Sequence, residues 1–469
     1  MKNWVERQRL GRVVLLVVWL GIRWSSAAAP PAPSAPLLPP PESPAPAAFE
    51  PGLSSNTDLL LLPLARRPSP RPVVTAATRV MAAPDAVTAV LLNPTSLRQA
   101  LPSLIRAEIV ASRPGPRPDA WPDRLIAWEV EIPLFNLKSR GWLRQRPQGA
   151  ELELVEGAFA PGMIQFRTAP TIDRTGTILT CQVQLEIQST TWILRKISRH
   201  DPWAETAMSA AAAWVVARAL ALRAEAAPGP GAALVRPREP IQPPAAAELE
   251  GSFMGGPALA GLRATGVLGA IRRRPGGRLG WASVAFRVPG SPPDVVSRLA
   301  TPESWAVFPA WKSVTRRPPP EARGVPGPAP RASAKGTGIP TQTETASATG
   351  SAGLAVVDVV DRVPLADLDA AWSVELTPPG RATAIAGDTR GAVLAWQAAP
   401  AQDGQGSTVV LSMHPRLDAA GFVERRLIAA EPLLEHGLGI ALAYVDAAAM
   451  AESLDLGLPL NDRRRGPGR

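Results

Sequence analysis

Apolar and polar positions alternate in two well-separated parts of the chain. VVTAATRVMA at 73–82 and WASVAFRVPG at 281–290 both carry the period of two that marks a half-buried strand. Each is followed by a short segment of helical character headed by an Asp. Asn93-Pro94 or Thr301-Pro302 then starts a second one, and Pro102 or Pro309 ends it. Further strand-like runs come next: 125–132, 151–158, 163–168 and 177–187 in the first part, and GLAVVDVVDRV, RATAIAG, AVLAWQA and STVVLSMH in the second. Each part closes on a helical stripe. Trp203, Ala207, Ala210, Trp214, Ala217 and Ala221 recur at helical spacing, and Leu433, Gly437, Ile440, Tyr444, Ala447 and Ala451 answer them. Asp201-Pro202 and Glu431-Pro432 place an acid and a proline where such a helix would begin.

The two parts are copies. FRTAPTIDRTGT at 166–177 and WQAAPAQDGQGS at 396–407 share an aromatic, an Ala-Pro, an Asp and a Gly at an offset of 230 residues. The same offset brings Gly157 to Gly387 and Trp142 to Trp372, while IPLFNL at 132–137 answers VPLADL one residue out of step. The opening segments match at a shorter offset, 208 or 209, because the second copy holds a Pro/Gly/Arg-rich insert. A period this long predicts two whole domains, not a solenoid. The shared phrase lies between two alternating runs, so Asp173 and Asp403 are expected to form hairpin turns. The resulting division is a signal peptide at 1–28 and a Pro/Ala-rich linker at 29–71. A first domain at 72–227 and a Pro/Gly-rich linker at 228–277 follow. A second domain at 278–456 carries a disordered insert at 316–338, and a basic tail occupies 457–469.

Composition narrows the function. The chain has 469 residues and a formal charge of +10, with arginines scattered among acids, so no stacking and phosphate-tracking surface for nucleic acid is evident. Cys181 is the only cysteine, which excludes an intrachain disulfide, and His200, His414 and His436 show no metal-ligand spacing. Nothing points to a cofactor or metal. Basic residues before VVLLVVWLGI at 13–22, followed by SSAAA, read as a secretory signal, since the apolar run is too short for a transmembrane helix. Export to a periplasmic or extracellular location is expected, with membrane attachment if that segment is retained. LLLLPL at 59–64 is expected to dock on a domain or to remain a sticky patch.

The segments DVVSRLATPESWAVFPAWKSV, the PLxxL run and EPLLEHGLGIALAYV resemble the START-like superfamily, of the polyketide cyclase/dehydrase, coenzyme Q-binding and plant pathogenesis-related allergen types. The resemblance spans about 72–227 and 278–456. It implies an α+β fold of two helix-grip domains, each a curved antiparallel sheet wrapped around a long C-terminal helix. It also implies a cavity between that helix and the sheet, holding a hydrophobic small molecule such as a lipid, a quinone or a polyketide-like compound. The lining residues expected are Trp128, Phe166 and Trp214 in the first copy, with Trp372, Trp396, Ile440 and Tyr444 in the second. Plain core packing is the competing explanation of such aromatic and alanine stripes. Two further readings stand. A cyclase or dehydratase would need a buried acid–base pair, for which Glu129, Glu131, Arg140, Asp358 and Asp361 are the candidates. A ligand-free envelope protein would instead show two collapsed cores.

Overall fold

Strand β1 (Thr57–Leu62) is the first surprise of the computed structural model, because its TDLLLL sequence carries no alternation and sits in the segment expected to be linker. Leu59 and Leu60 face opposite sides of one sheet and both are fully buried, so the leucine run serves both faces and shows no alternation. β9 (Val267–Arg273), buried at all but one position, lies within the second expected linker. These two linker assignments are corrected accordingly. The structure describes residues 44–63, 71–115, 121–132, 135–186, 203–226, 266–274, 277–299, 311–316, 354–363, 366–375, 380–387, 390–401, 404–416, 428–429 and 431–455. The expected signal peptide, the 317–338 part of the insert and the basic tail lie outside these residues.

The remaining strands of the first half are β2 (Val73–Val80), β3 (Leu104–Arg113), β4 (Asp123–Ile132), β5 (Phe135–Arg146), β6 (Gly149–Gly157), β7 (Phe159–Pro170) and β8 (Thr177–Glu186). Its helices are α1 (Pro84–Leu91), α2 (Pro94–Ala100) and α3 (Ala204–Glu225). Asn93 caps α2 by accepting a hydrogen bond from the Thr95 backbone N–H. The second half has β10 (Leu279–Val288), α4 (Pro292–Leu299), β11 (Trp311–Arg316), β12 (Leu354–Val363), β13 (Ala366–Glu375), β14 (Gly380–Gly387), β15 (Val393–Pro400), β16 (Ser407–His414) and α5 (Leu434–Asp455).

All sixteen strands join in one antiparallel sheet, ordered β11-β12-β13-β14-β15-β16-β10-β9-β1-β2-β8-β7-β6-β5-β4-β3. Read outward from the centre, the first half runs β1-β2-β8-β7-β6-β5-β4-β3 and the second β9-β10-β16-β15-β14-β13-β12-β11. The order is the same in both. The halves meet where β1 pairs antiparallel with β9, Leu60 opposite Gly269. Leu60 also pairs with Ala76 and Gly269 with Val284, and Ala76 and Val284 are equivalent at the 208-residue offset. Leu60 and Gly269 are therefore equivalent positions facing each other across a local two-fold axis. A Cβ on Gly269 would stand 3.2–3.3 Å from Ile440, Leu62 and Leu60, so the crossing is tight.

The helices lie on one face of the sheet, called inner below. α3 rests on β2 and β8, α5 on β10 and β16, and the two long helices pack against each other. Their stripes are buried as expected, from Trp203 to Ala221 and from Leu433 to Ala447. Their flanks are buried as well, because each covers the other: a Cβ on Gly437 would lie 3.0 Å from Val215 and 3.3 Å from Ala211. Both helices are long and apolar enough to cross a membrane, yet here that apolar length is spent on the sheet and on the partner helix. The outer face is different. At the centre it is covered by a 3-10 turn at Pro46–Gly52, with Phe49 packed on Leu59, Ala77, Ile178 and Leu268. Farther out it is a charged lattice, in which Arg144 reaches Glu153 at 2.6 Å, Glu151 at 3.3 Å and Asp123 at 3.4 Å. Every described residue belongs to one compact unit spanning Pro39–Arg469, so the two copies share a sheet and do not stand apart on a linker.

The repeated turn has the same hydrogen bonds in both copies. Thr171 N–H donates to Gly176 O at 3.0 Å and Ala401 N–H to Gly406 O at 3.0 Å; Arg174 and Gly404 take left-handed conformations at φ 55° and 73°. Asp173 accepts from Thr175 N–H, and bonds from Thr171, Thr175 and Arg79 hold its carboxyl well below the usual range. It is a turn former. Asp403 lies outside the described residues.

Candidate ligand-binding face

Strand parity decides which aromatics meet the helices. In β6, Leu152 and Leu154 are buried in the inner core while Glu151 and Glu153 join the outer lattice. Pairing carries that parity sideways. Phe166 on β7 opposes Ala150 on β6 and Cys181 on β8, and all three are inner core residues. Trp128 on β4 opposes Ser139 and packs half-buried against the same core. In the second half Trp396 opposes Gly380 and Leu411, the exact 230-residue counterparts of Ala150 and Cys181. The indole of Trp396 lies flat across Gly380, where an added Cβ would come within 2.0 Å of the ring. Only glycine fits below it.

Trp372 is also inner, but its counterpart is not Trp142. Ser139 pairs with Gly157 and Ala370 with Gly387, then a bulge in each strand brings Gly141 opposite Leu154 and Trp372 opposite Ala384. Trp372 is thus the counterpart of Gly141, and the one-residue slip seen between IPLFNL and VPLADL persists to this point. Trp142 faces outward, with the Arg113 guanidinium 4.2 Å from its ring centre. The equivalence of Trp142 and Trp372 expected from the sequence is corrected, because a slip of one residue exchanges the faces of a strand. The volumes compensate. The first half uses Gly141 with Leu152 and Leu154, and the second uses Trp372 with Ala382 and Ala384 at the matching places.

The three helix residues are committed elsewhere. Trp214 is fully buried, donates from Nε1 to Asp58 Oδ2 at 3.0 Å, and stacks on His436 with ring centres 4.8 Å apart and planes 18° from parallel. Tyr444 sends its hydroxyl to Pro63 O at 3.5 Å and meets Trp203 edge-on. Ile440 stands over Gly269. Trp214 and Tyr444 join the two halves, while Trp128, Phe166, Trp372 and Trp396 face the inner core, the last three at 4%, 6% and 2% exposure in the order Phe166, Trp372, Trp396.

A buried polar cluster at this junction escaped the sequence reading. Asp58 is fully buried and accepts from Thr78 Oγ1 at 2.7 Å as well as from Trp214. Its Oδ2 lies 3.1 Å from Nη1 of the buried Arg273, whose Nη2 donates to Ser55 O at 2.7 Å. Beside it, Arg278 grips Glu435 with two bonds of 2.8 Å. Burial, then the charges of Arg273, Arg218 and Arg278, push the His436 imidazole down to about 3, so it is neutral. Asp58 sits among leucines in a segment with the look of a linker, and nothing local in sequence marks its partner 215 residues on.

Of the residues considered for catalysis, Glu129, Glu131, Arg140 and Asp358 point away from the inner face. Glu129 accepts from Asn136 Nδ2 at 2.7 Å on the outer side, Arg140 pairs with Glu156 at 3.0 Å in solvent, and Glu131 is exposed. Asp358 follows inner Val357 and takes the opposite face, and for Asp361 only the backbone is described. Burial pushes the Cys181 thiol up, so it packs as a small apolar group under Phe166 and is no nucleophile. Among the described residues no group of His, Cys, Asp and Glu is placed to hold a metal.

No protein-family model matches the sequence, and no curated protein matches it either. Among solved structures, a protein of Thermus thermophilus aligns over 33% of this chain and 97% of its own, at 17% identity and a TM-score of 0.25. The di-domain ARO/CYC StfQ from the steffimycin biosynthetic pathway aligns over 79% of this chain and 97% of its own, at 11% identity and a TM-score of 0.23. The di-domain ARO/CYC BexL from the BE-7585A biosynthetic pathway covers 80% and 98% respectively, at 11% identity and 0.22. At these values the likeness decides neither fold detail nor activity.

Proposed function

We propose that each half is a helix-grip domain and that the chain binds an apolar small molecule between the inner sheet face and the helices. The observation that supports this reading most is the set of aromatics turned inward: Trp128 and Phe166 in one half, Trp372 and Trp396 in the other. The one cysteine on that face is a protonated thiol. Such a surface suits a lipid, a quinone or a polycyclic aromatic compound held by contact and exclusion of water. Because Gly141, Leu152 and Leu154 are exchanged for Trp372, Ala382 and Ala384, the two sites differ in shape and should differ in preference. Carriage or storage outside the cytoplasm is part of the proposal, motivated by the N-terminal sequence alone.

Catalysis by an inner acid–base pair is disfavoured by the outward placement of Glu129, Glu131 and Arg140. The test is titration of the purified chain with a fluorescent apolar probe, followed by displacement with a fatty acid, a ubiquinone analogue and an aromatic polyketide. Displacement by one class, weakened at least tenfold by Phe166→Ala or Trp396→Ala, is the predicted outcome. No probe uptake, or uptake indifferent to both substitutions, rejects the reading.

A further inference from the structure

The sheet ends at β3, and among the described residues no strand lies beyond it. Its burial falls away after Leu104, leaving Ile105, Ile109 and Val110 at 43%, 47% and 47% exposure. Arg106 and Glu108 are paired with each other at 2.7 Å, with side chains 53% and 56% exposed. An uncovered edge bearing isoleucines is a template for another strand.

The sequence of that edge is its own complement. Around Ala107 it reads Leu-Ile-Arg-Ala-Glu-Ile-Val from 104 to 110. In an antiparallel pair related by a two-fold axis through Ala107, Arg106 of one chain faces Glu108 of the other. Both charges then find partners in register. Arg106 and Glu108 lie on the outer face, since they pair with Glu129 and Ala127 on β4, whose neighbours Trp128 and Ile126 are inner. Opposite charges directly across an antiparallel pair stabilise it, and like charges oppose it. Bulges at Leu104/Arg106 and Ile109/Ala111 bound the regular stretch, so the pairing is short and ends on both sides.

We propose that β3 is a homodimer edge, and that the partner it fits is β3 of a second copy of this chain, with Arg106 and Glu108 exchanged between chains. An interface of this kind is isologous and closes at two. It leaves the inner faces of both molecules free.

Sedimentation velocity on the purified full chain tests it, with Arg106→Glu and Glu108→Arg prepared as separate variants. Both sites are exposed, and circular dichroism of each variant matching the unsubstituted chain confirms that folding is intact. The unsubstituted chain should sediment as a dimer. Each single variant places like charges opposite each other twice and should sediment as a monomer. Mixing the two variants in equal amounts restores both opposite-charge pairs and should restore the dimer. Loss of the Arg106–Glu108 contact within one chain cannot produce that rescue. A monomeric unsubstituted chain, dimeric single variants, no rescue on mixing, or open-ended polymers would each overturn the proposal.

Discussion

Asp58 has zero exposure and is held by Thr78, Trp214 and Arg273. Buried pairs are poor net stabilisers, but removing one partner strands the other charge in a low-dielectric interior. Asp58→Ala should therefore cost about 3–5 kcal/mol in chemical denaturation, whereas Asp58→Leu with Arg273→Met should recover most of that loss. A single substitution without effect would mean that Arg273 reaches water. His436 gives a second residue-level prediction. Its folded pKa is pushed down to about 3 and its unfolded value is near 6.5. Between these values the unfolded chain takes up a proton that the folded chain refuses, so stability must fall as the pH drops through that window. The limiting slope is about 1.4 kcal/mol per pH unit. Three arginines face this ring, Arg273 from β9, Arg218 from α3 and Arg278 from the β9–β10 turn, and all of them disfavour its charged form. His436→Phe should remove this contribution, so denaturation midpoints of the two proteins should diverge in acid and run parallel above pH 7. Parallel curves throughout would show that the imidazole is hydrated.

At the level of elements, legibility followed burial. β2, β6 and β8 were readable from the alternation of their sequences, although β2 and β8 are buried at almost every position, and so were both long helices, whose stripes keep helical spacing. β1 and β9 were missed because TDLLLL and VLGAIRR carry no alternation and lie in proline- and glycine-rich surroundings. β3 was missed because exposure on both faces erases alternation. The inward side of Trp372 was not legible by parity, since the 230-residue offset equates it with the outward Trp142. The junction roles of Trp214 and Tyr444 were not legible either, since a helix stripe does not say which half will cover it. The sharpest element-scale test is the pair of tryptophans that sequence alignment equates and strand register separates. Trp372→Ala opens the inner core and should cost about 3–5 kcal/mol, while Trp142→Ala loses a surface stack on Arg113 worth about 0.5–1 kcal/mol. Equal losses would show that the bulge at Ala371/Trp372 is misplaced.

The whole molecule is a duplicated chain in which two equivalent edge strands, β1 and β9, fuse the copies into one sheet, and two equivalent helices lie side by side above the seam. Much of what would be solvent-facing in a lone copy is buried here, including the Gly437 contact on Ala211 and Val215. Residues 1–227 and 228–469 produced as separate chains should therefore co-purify in a one-to-one complex, and each alone should aggregate. Two soluble, indifferent halves would contradict the shared sheet.

The ligand face proposed above is the apolar inner face on either side of the seam. A crystal of the full chain grown with a fatty acid brominated at its terminal carbon addresses that directly, through the anomalous signal of bromine. The predicted result is bromine on the inner face beside Trp372 and Trp396, beside Trp128 and Phe166, or at both places. Bromine only on the outer face or at the α3–α5 seam, or no ordered bromine at saturating ligand, would contradict it.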